Sequence, residues 1–486
     1  MRLRLLLHTI PHLRHKQLVY QVWYRLYKAN FQQIKAPKHK SPTINTEFII
    51  RKKAVERETF NFLNIADDFS GWNFSGHGML WAYNQNYFDW LNQEGMTANE
   101  GGKWIDRFIC DLTTNKVGLD PYPTALRGIN WIKFFCRFPK TATQEREDSL
   151  YSQYRLLEKK IEYHLLGNHL LEDAFSLYIG AHYFQDEGMK EKAHYLLEKQ
   201  LCEQTLPDGG HYEQSPMYHC ILLDRLLDCI NITKEEWLSP FASQWLGWLN
   251  NICYHDRTFP MFNDSALGIA PSPQELFDYA QRLGIKTQPC VLKESGYRRM
   301  RKNGIEAFVD IGNITATYQP GHTHADTLNY ELRIEGKPIV VDTGISTYNK
   351  NERRQYERGT SAHNCVVADG QDSTEVWGGF RVGKRCKVTI EKEAPTEIVA
   401  NHNGYPKRCR RKFELADNAF VVEDWYEGDA ISYIHLAEDV EVDRVKIEGA
   451  RVVETIDGDY STEYNRFHKG KILRIHFNGH LRYCIQ

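Results

Sequence analysis

The chain has 486 residues, 42% of them hydrophobic, with 61 Lys and Arg against 63 Asp and Glu and a formal net charge of −2. This length favours two large domains over a single core. The near-neutral charge argues against a dedicated nucleic-acid-binding protein, and the charged and aromatic shares of 26% and 13% exclude wholesale disorder. The 11 cysteines never form a CxxC pair. They predict buried thiols in a reducing compartment rather than a disulfide framework.

The N-terminal segment is basic and apolar, beginning MRLRLLLHTIPHLRHK. Its apolar patch is broken at His8 and Pro11 and no small-residue cleavage site follows, so a secretory signal is not predicted. The pattern favours a basic amphipathic helix over residues 1–33, which docks on its own domain or lies on a membrane surface. Residues 36–43 are predicted to be an exposed connector. No apolar run is long enough to span a bilayer.

Residues 76–279 are predicted to be helical, because apolar residues recur there at intervals of three and four. The clearest segments are 104–112, 126–135, 170–179, 190–206, 217–230 and 237–254. Helices joined by short loops form antiparallel pairs. No strict repeat is present, which favours a ring of unequal hairpins over a regular solenoid.

From about residue 305 the period changes to two, and the segments become short and rich in Val, Ile and Thr. The predicted strands are 306–310, 314–318, 337–341, 364–367, 387–390, 420–423 and 472–477. Turn signals at Glu335-Gly336 and Asp369-Gly370 favour an antiparallel sandwich. The boundary between the helical and the strand region is predicted within 281–302.

A first candidate site lies in the predicted strand region. His324, Asp342 and His363 are two imidazoles and one carboxylate, a donor set suited to a divalent metal such as zinc. The alternative is that one histidine is a ligand candidate and the others are hydrogen-bonded interior residues.

Two further candidates stand at predicted helix starts. Tyr218 follows the Gly- and Pro-rich sequence DGGHYEQSPM and can be a proton donor over a cleft, or simply core packing. Asn168 suits a helix N-cap, and the adjacent His169 can project into a cleft as a base.

Together these residues and their surroundings resemble the heparinase II/III-type polysaccharide lyases, which are similar to alginate lyases of the same architecture. The motifs follow in order along the chain: LWAYNQNYFD (80–89), RGINWI (127–132), DGGHYEQSPMYH (208–219), GHTHADTLNYEL (321–332), IVVDTGISTY (339–348) and RRQYERGTSAHNCVVADGQ (353–371). The resemblance implies an α+β multidomain fold, an incomplete (α/α) toroid followed by an antiparallel β-sandwich. We assign residues 1–45 to the basic helix and connector, 46–288 to the toroid and 289–486 to the sandwich.

The resemblance also implies eliminative cleavage of a uronic-acid-containing polysaccharide, which leaves 4,5-unsaturated uronate ends. In this reaction the site neutralises the uronate carboxylate, removes the C5 proton and protonates the departing O4. Asn168 matches the residue that neutralises the carboxylate, and His169 matches the base for one C5 epimer. Tyr218 matches the acid, which is also the base in a syn geometry. His322 matches the active-site histidine of the β-domain, and Tyr348 a second active-site tyrosine.

The same motifs imply binding residues. The expected substrate contacts are Trp81, Asn84, Tyr87, His211, Glu213 and Arg358. His324, Asp342 and His363 match the ligands of one structural divalent ion, zinc first, with manganese or calcium as alternatives. The partner is an anionic polysaccharide or oligosaccharide, and no nucleic acid is expected. By family resemblance the compartment would be periplasmic, whereas the missing signal favours the cytoplasm.

Two other functions stay open at this point. One is a non-catalytic carbohydrate-binding or assembly factor in polysaccharide synthesis that keeps the cleft without turnover. The other is a glycoside hydrolase on a similar toroid, which needs two carboxylates beside the scissile bond. Glu213 and Asp208 lie near the cleft motif, but that mechanism has no use for the Asn, His and Tyr set.

Overall fold

The computed structural model describes residues 2–486, with helices in its first part and strands in its last. The helices are α1 (Arg2–Thr9), α2 (His15–Leu26), α3 (Met79–Tyr87), α4 (Ala98–Asp111), α5 (Pro121–Arg137), α6 (Gln144–Lys160), α7 (Gly167–Phe184), α8 (Glu187–Gln204), α9 (Pro216–Thr233), α10 (Ser239–Ile252), α11 (Pro273–Arg282) and α12 (Glu352–Glu357). All six predicted helical segments are confirmed. None of the helices described is both long and apolar enough to cross a bilayer.

Helices α5, α7 and α9 form an inner layer. Helix α7 packs against α5, α8 and α9, and α9 packs in turn against α10 and α11. All but two residues of α7 are buried, whereas fewer than half of the residues of α8 are. A helix that is apolar on every side must be covered on every side. The helices therefore divide into an inner and an outer layer, as in a toroid.

The strands are β1 (Val55–Glu56), β2 (Thr59–Phe62), β3 (Ile65–Asp68), β4 (Tyr297–Lys302), β5 (Ile305–Asp310), β6 (Tyr330–Ile334), β7 (Lys337–Val340), β8 (Val366–Ala368), β9 (Val376–Trp377), β10 (Arg381–Val382), β11 (Val388–Ala394), β12 (Glu397–His402), β13 (Cys409–Leu415), β14 (Phe420–Leu436), β15 (Val445–Glu448), β16 (Val452–Glu463) and β17 (Arg466–Ile485). Strands β1–β3 form a small antiparallel sheet, and β9 and β10 form a hairpin. The other twelve form one antiparallel sheet.

The large sheet is built around two long strands. Strands β14 and β17 pair from Phe420 opposite Ile485 to Leu436 opposite Lys471, and β17 also pairs with β15 and β16. The sheet continues from β14 through β13, β12 and β11 on one side and through β7, β6, β5 and β4 on the other. Burial alternates along β13, as expected when one face of a strand covers a core. Phe413, Phe420 and Tyr483 are members of that core.

One predicted strand is wrong. Residues 314–318 form a loop, although every other predicted strand overlaps an observed one. The backbone amide of Thr315 donates to Oε1 of Gln214 (3.0 Å), and the Thr315 hydroxyl donates to the carbonyl of Tyr212. The polar groups of this segment thus pair with the loop before α9 instead of with a neighbouring strand.

The N-terminal segment differs from the single helix predicted over residues 1–33. Helices α1 and α2 are separate, and a 3-10 turn from Ile10 to His12 lies between them. Pro11 lies inside this turn, where its missing N–H interrupts the helical hydrogen bonds. Residues 36–43 have neither helix nor strand, as predicted, although the side chain of His39 packs inward beside Glu147 (3.0 Å).

All eleven cysteines are free thiols, and six of them are buried. Cys110 and Cys202 are exposed, contrary to the prediction that the thiols are buried.

Candidate active site

The candidate site lies where the starts of α7 and α9 meet loops of the sandwich. Leu166 and Gly167 both have positive φ, 64° and 63°, and so turn the chain sharply into α7. A Cβ atom on Gly167 would lie 2.3 Å from Oε1 of Glu213. Glycine is therefore required here both for the backbone angle and for the close approach of Glu213.

Asn168 is held in place by Glu213. The Asn168 backbone amide donates to Oε1 of Glu213 (3.0 Å), and its side-chain Nδ2 donates to Oε2 (2.8 Å). The same Nδ2 lies 3.1 Å from Nε2 of His322. Asn168 is not the N-cap of α7, since Leu166 takes that position. Its amide is instead directed across the interface toward the sandwich.

His322 is oriented by a buried carboxylate. Its Nδ1 lies 2.8 Å from Oδ2 of Asp264, while Arg354 makes a two-pronged ion pair with Asp264 at 2.5 and 2.7 Å. Burial alone would raise the pKa of Asp264, but Arg354 and the adjacent histidines hold it well below its usual value. An ionised Asp264 accepts the Nδ1 proton of His322 and leaves Nε2 free to accept the Asn168 amide.

Tyr218 lies over His322. Ser215 caps α9 by accepting the Tyr218 backbone amide (3.2 Å), which fixes this residue in the first turn. The phenol and imidazole rings are stacked with centroids 3.8 Å apart. The Tyr348 hydroxyl donates to the Tyr218 oxygen (3.2 Å), so the Tyr218 O–H stays free to donate outward. Burial raises the pKa of Tyr218 above its usual value.

His169 lies beside this cluster with its own carboxylate. Its Nδ1 is 2.9 Å from Oε2 of Glu162, and its ring is 4.5 Å from that of Tyr122. Burial acts to lower the pKa of His169, but the negative charge of Glu162 outweighs it and raises the pKa above 6.5.

The expected substrate-binding residues differ in their access to the cleft. Asn84 and Tyr87 are half-buried, and the ring of Tyr87 lies 5.8 Å from that of Tyr122 beside His169. Glu213 is buried and binds Asn168. Three others are buried with internal partners: Trp81 donates to the Ile65 carbonyl, His211 contacts Gln204, and Arg358 donates to the Thr323 carbonyl. These three side chains are therefore not exposed to solvent in this structure.

The three predicted metal ligands lie close together, but each is engaged with a protein group. Nε2 of His324 is 2.7 Å from Oδ1 of Asp264, and Nδ1 of His363 is 2.7 Å from Oδ2 of Asp342. Burial lowers the pKa of His324 to about 3, so the imidazole is neutral as a metal ligand must be. Within residues 2–486, no three His, Cys, Asp or Glu side chains converge as in a formed metal site.

The remaining ring nitrogens fit a metal in part. Nδ1 of His324 and Nε2 of His363 are buried without a hydrogen-bond partner, and the two rings are 5.3 Å apart. Buried imidazole nitrogens without a partner are unusual, and a divalent ion is one group that would satisfy them. Asp342 would have to give up its hydrogen bond to Nδ1 of His363 before its carboxylate could bind the same ion as the two imidazoles.

Sequence reasoning missed three residues that organise the site: Asp264, Arg354 and Glu162. Asp264 and Arg354 are 90 positions apart, and no local pattern connects them. Two signals were available: Arg354 lies inside the motif of residues 353–371, and a polar Asn263-Asp264-Ser265 run directly follows the apolar residues Met261 and Phe262. Together the site offers a phenol that can donate a proton, an oriented imidazole, a positioned amide and a second imidazole paired with a carboxylate.

Comparison with known proteins gives matches in both parts of the chain. The family models described as "Heparinase II/III N-terminus" and "Heparinase II/III-like, C-terminal" match residues 146–280 and 286–481. Heparin-sulfate lyases of Bacteroides stercoris and Bacteroides thetaiotaomicron are each 23% identical, over 56% and 50% of this chain and 46% and 41% of their own. The chain thus spans less than half the length of these curated relatives.

A crystal structure of heparinase III has the same fold, with a TM-score of 0.63 and 14% identity over 85% of this chain and 79% of that one. This likeness confirms the predicted toroid followed by an antiparallel β-sandwich. The two family matches cover more than half of the chain and run in the order of its helical and sheet parts. The chain therefore belongs to the heparinase II/III family.

Proposed function

We propose that the chain is a polysaccharide lyase that cleaves a uronic-acid-containing glycosaminoglycan by β-elimination. The observation that carries the proposal is the linked set of Asn168, His322, Tyr218 and Tyr348, drawn from both parts of the molecule. The heparin-sulfate lyases among its relatives support this class of substrate.

The reaction requires a base, an acid and a group that stabilises the uronate carboxylate. A base takes the C5 proton, and the electrons of that C–H bond form the C4–C5 double bond. The C4–O4 bond breaks with its electron pair on O4, and an acid protonates this oxygen. The C5 proton is too weakly acidic to leave unless the carboxylate beside it is stabilised as it gains enolate character. We assign this stabilisation to the amide of Asn168: the Nδ2 hydrogen that faces His322 in this structure would be donated to the substrate carboxylate once substrate binds.

Tyr218 is assigned as the acid. A raised pKa keeps the phenol protonated at neutral pH, and the hydroxyl of Tyr348 already fills an acceptor position on its oxygen. The remaining O–H can be donated to the leaving O4. The same raised pKa makes Tyr218 a poor base, which favours the acid role over a syn elimination in which it would also remove the C5 proton.

His169 is assigned as the base for the epimer whose C5 proton faces it. Glu162 fixes the ring through Nδ1, which leaves Nε2 for the substrate. Because Glu162 raises the pKa of His169, the neutral form needed for proton abstraction gains population with rising pH.

We further propose that His324, Asp342 and His363 hold one divalent ion, zinc first. When bound, it would cross-link the sandwich loops behind His322 and would not contact the reacting atoms. This assignment rests on the two unpaired imidazole nitrogens.

A hydrolase is a weaker alternative. The Glu213 and Asp208 carboxylates are both buried and satisfied, Glu213 by Asn168 and Asp208 by the backbone amides of Lys293 and Ser295. Neither is free to act on a glycosidic oxygen.

The test is incubation of the purified protein with heparin sulfate and a panel of other uronate polymers. A lyase produces the ultraviolet absorbance of a conjugated unsaturated uronate, and Asn168→Ala should abolish most of it. New reducing ends without absorbance would indicate a hydrolase. Retained polymer binding with neither product would indicate the non-catalytic binding factor.

A further inference from the structure

Residues 2–28, here called the N-terminal arm, expose an apolar surface that the candidate site does not use. Nine of the 18 exposed large hydrophobic side chains in the described part of the chain lie between Leu3 and Tyr27. Leu3 and Leu7 are four positions apart on α1, and Val22 and Leu26 are four apart on α2. Residues with this spacing share one helix face, so each helix presents an apolar stripe to solvent.

The opposite side of the arm is fastened to the protein. Nε2 of Gln17 donates to the carbonyls of Leu165 (3.1 Å) and Tyr318 (3.2 Å), and the ring of Tyr20 lies 4.8 Å from that of Tyr163. On α1, Arg4 pairs with Glu375 at 2.9 Å. The arm therefore has a fixed orientation, with its polar contacts inward and its apolar stripes outward.

The charge of this region is one-sided. Six Lys and Arg residues and no Asp or Glu lie in the N-terminal arm, and three more lysines with no Asp or Glu follow before Glu47. A groove of about 540 Å³ beside α2 is lined by six Lys and Arg side chains and two Glu side chains. Two of the six cations, Arg14 and Lys16, belong to the arm itself. The rest of the chain is correspondingly acidic. The arm and the groove thus form a cationic surface next to the exposed apolar stripes.

We propose that the N-terminal arm attaches this protein to the surface of an anionic lipid bilayer, with α1 and α2 lying in the interface. Lys and Arg would meet the phosphate groups, while the apolar stripes enter the acyl boundary. Trp23 and Tyr27, stacked 5.4 Å apart, are of the type that sits at headgroup level. This inference does not depend on the proposed lyase activity.

Other occupants fit the surface less well. A second copy would bring two arms of the same positive charge together. An anionic polysaccharide would neutralise the cations but would leave the Leu and Val stripes in water. Only a surface that is both anionic and apolar satisfies both features.

The experiment is sedimentation of the full chain with phosphatidylcholine vesicles, with or without phosphatidylglycerol. We expect binding only to the anionic vesicles. Val22→Ser/Trp23→Ser/Leu26→Ser should lower the partition coefficient by at least about tenfold, because it removes one apolar stripe. Arg25→Glu/Lys28→Glu should lower it by at least roughly 25-fold, about fivefold for each lost cation. The matched control is Val291→Ser/Ile456→Ser, which removes exposed apolar side chains elsewhere and should leave binding unchanged.

Circular-dichroism melting of each variant separates loss of binding from loss of folding. Failure of the parent to bind anionic vesicles overturns the proposal, as does equal binding by the charge-reversed variant. If the parent is a dimer, the apolar variant is a monomer and neither protein binds vesicles, the surface would be assigned to a second copy of the chain. Binding of soluble heparin that Arg25→Glu/Lys28→Glu abolishes, with no vesicle binding by the parent, would assign the surface to a polysaccharide.

Discussion

Tyr218 is the residue on which the proposed chemistry most directly depends. Replacement by Phe keeps the ring stacked on His322 but removes the transferable proton. We expect Tyr218→Phe to lower kcat by about 10²–10⁴-fold, the usual effect of losing an acid–base group, with little change in KM or Tm. Tyr195→Phe, at an exposed position, is the matched control. Near-normal turnover by Tyr218→Phe would transfer the acid role to Tyr348 or His322.

The pair of His169 and Glu162 predicts a pH effect. Since Glu162 raises the pKa of His169, the pair contributes full stability below pH about 6.5 and loses it as the pH rises through the raised pKa. Proton abstraction needs the neutral imidazole of His169, and the population of that form decreases as the pH falls. The kcat is therefore expected to decrease on the acidic side. We expect Glu162→Gln to move this acidic limb to lower pH, measured as a kcat profile.

Glu158→Gln is the control for that shift, since Glu158 pairs with Arg155 instead of with a site residue. An unchanged acidic limb in Glu162→Gln would show that His169 is not the base.

The unpaired nitrogens of His324 and His363 predict metal content. We expect about one divalent ion per chain by elemental analysis, and loss of that ion with a lower Tm in His363→Ala. His402→Ala is a suitable control, because this histidine is also buried but lies outside the predicted ligand set. A metal-free protein with an unchanged Tm after chelation would disprove the site.

Among the secondary-structure elements, the start of α7 positions Asn168, which the proposed mechanism uses. Gly167→Ala would combine a positive φ with a Cβ that meets Oε1 of Glu213. We expect a loss of about 1–3 kcal/mol in the free energy of unfolding and reduced activity, because Asn168 would shift. Gly188→Ala, at the start of α8 where the nearest atom is 3.6 Å away, should be neutral or slightly stabilising. Denaturant titration measures both, and equal effects would contradict this role of Gly167.

Elements with a strong local period could be predicted from the sequence, and those that depend on distant partners could not. The inner helix α7 follows from its apolar spacing, but residues 314–318 have the alternation of a strand and form a loop. Gln214, 101 positions before Thr315, decides that outcome. Asn168, Tyr218 and His322 were identified by motif resemblance. The roles of Asp264 and Arg354 could not be predicted, because the two residues pair only in the folded chain.

At the scale of the whole molecule, Asp208 fastens the segment that crosses from the helices to the sheet. Its carboxylate accepts the backbone amides of Lys293 (2.9 Å) and Ser295 (2.8 Å) and the Ser295 hydroxyl (2.7 Å). Asp208→Ala leaves these donors unpaired, and we expect roughly 3 kcal/mol lower stability from thermal or denaturant unfolding. Asp417→Ala, which removes an exposed ion pair with Lys302, should change stability little. Equal stability of the two variants would show that the crossing segment is held by other contacts.

The shared carboxylate of Asp264 has a consequence for how this site can vary among related sequences. One oxygen serves His322 and the other serves His324, while Arg354 bridges both. A substitution at any one of the four leaves a buried charge or an unpaired nitrogen at the others. We therefore expect these four positions to change together or not at all during divergence. Loss of the proposed activity during divergence is therefore expected first at Tyr218, outside the quartet, because a single replacement within the quartet would also destabilise the fold.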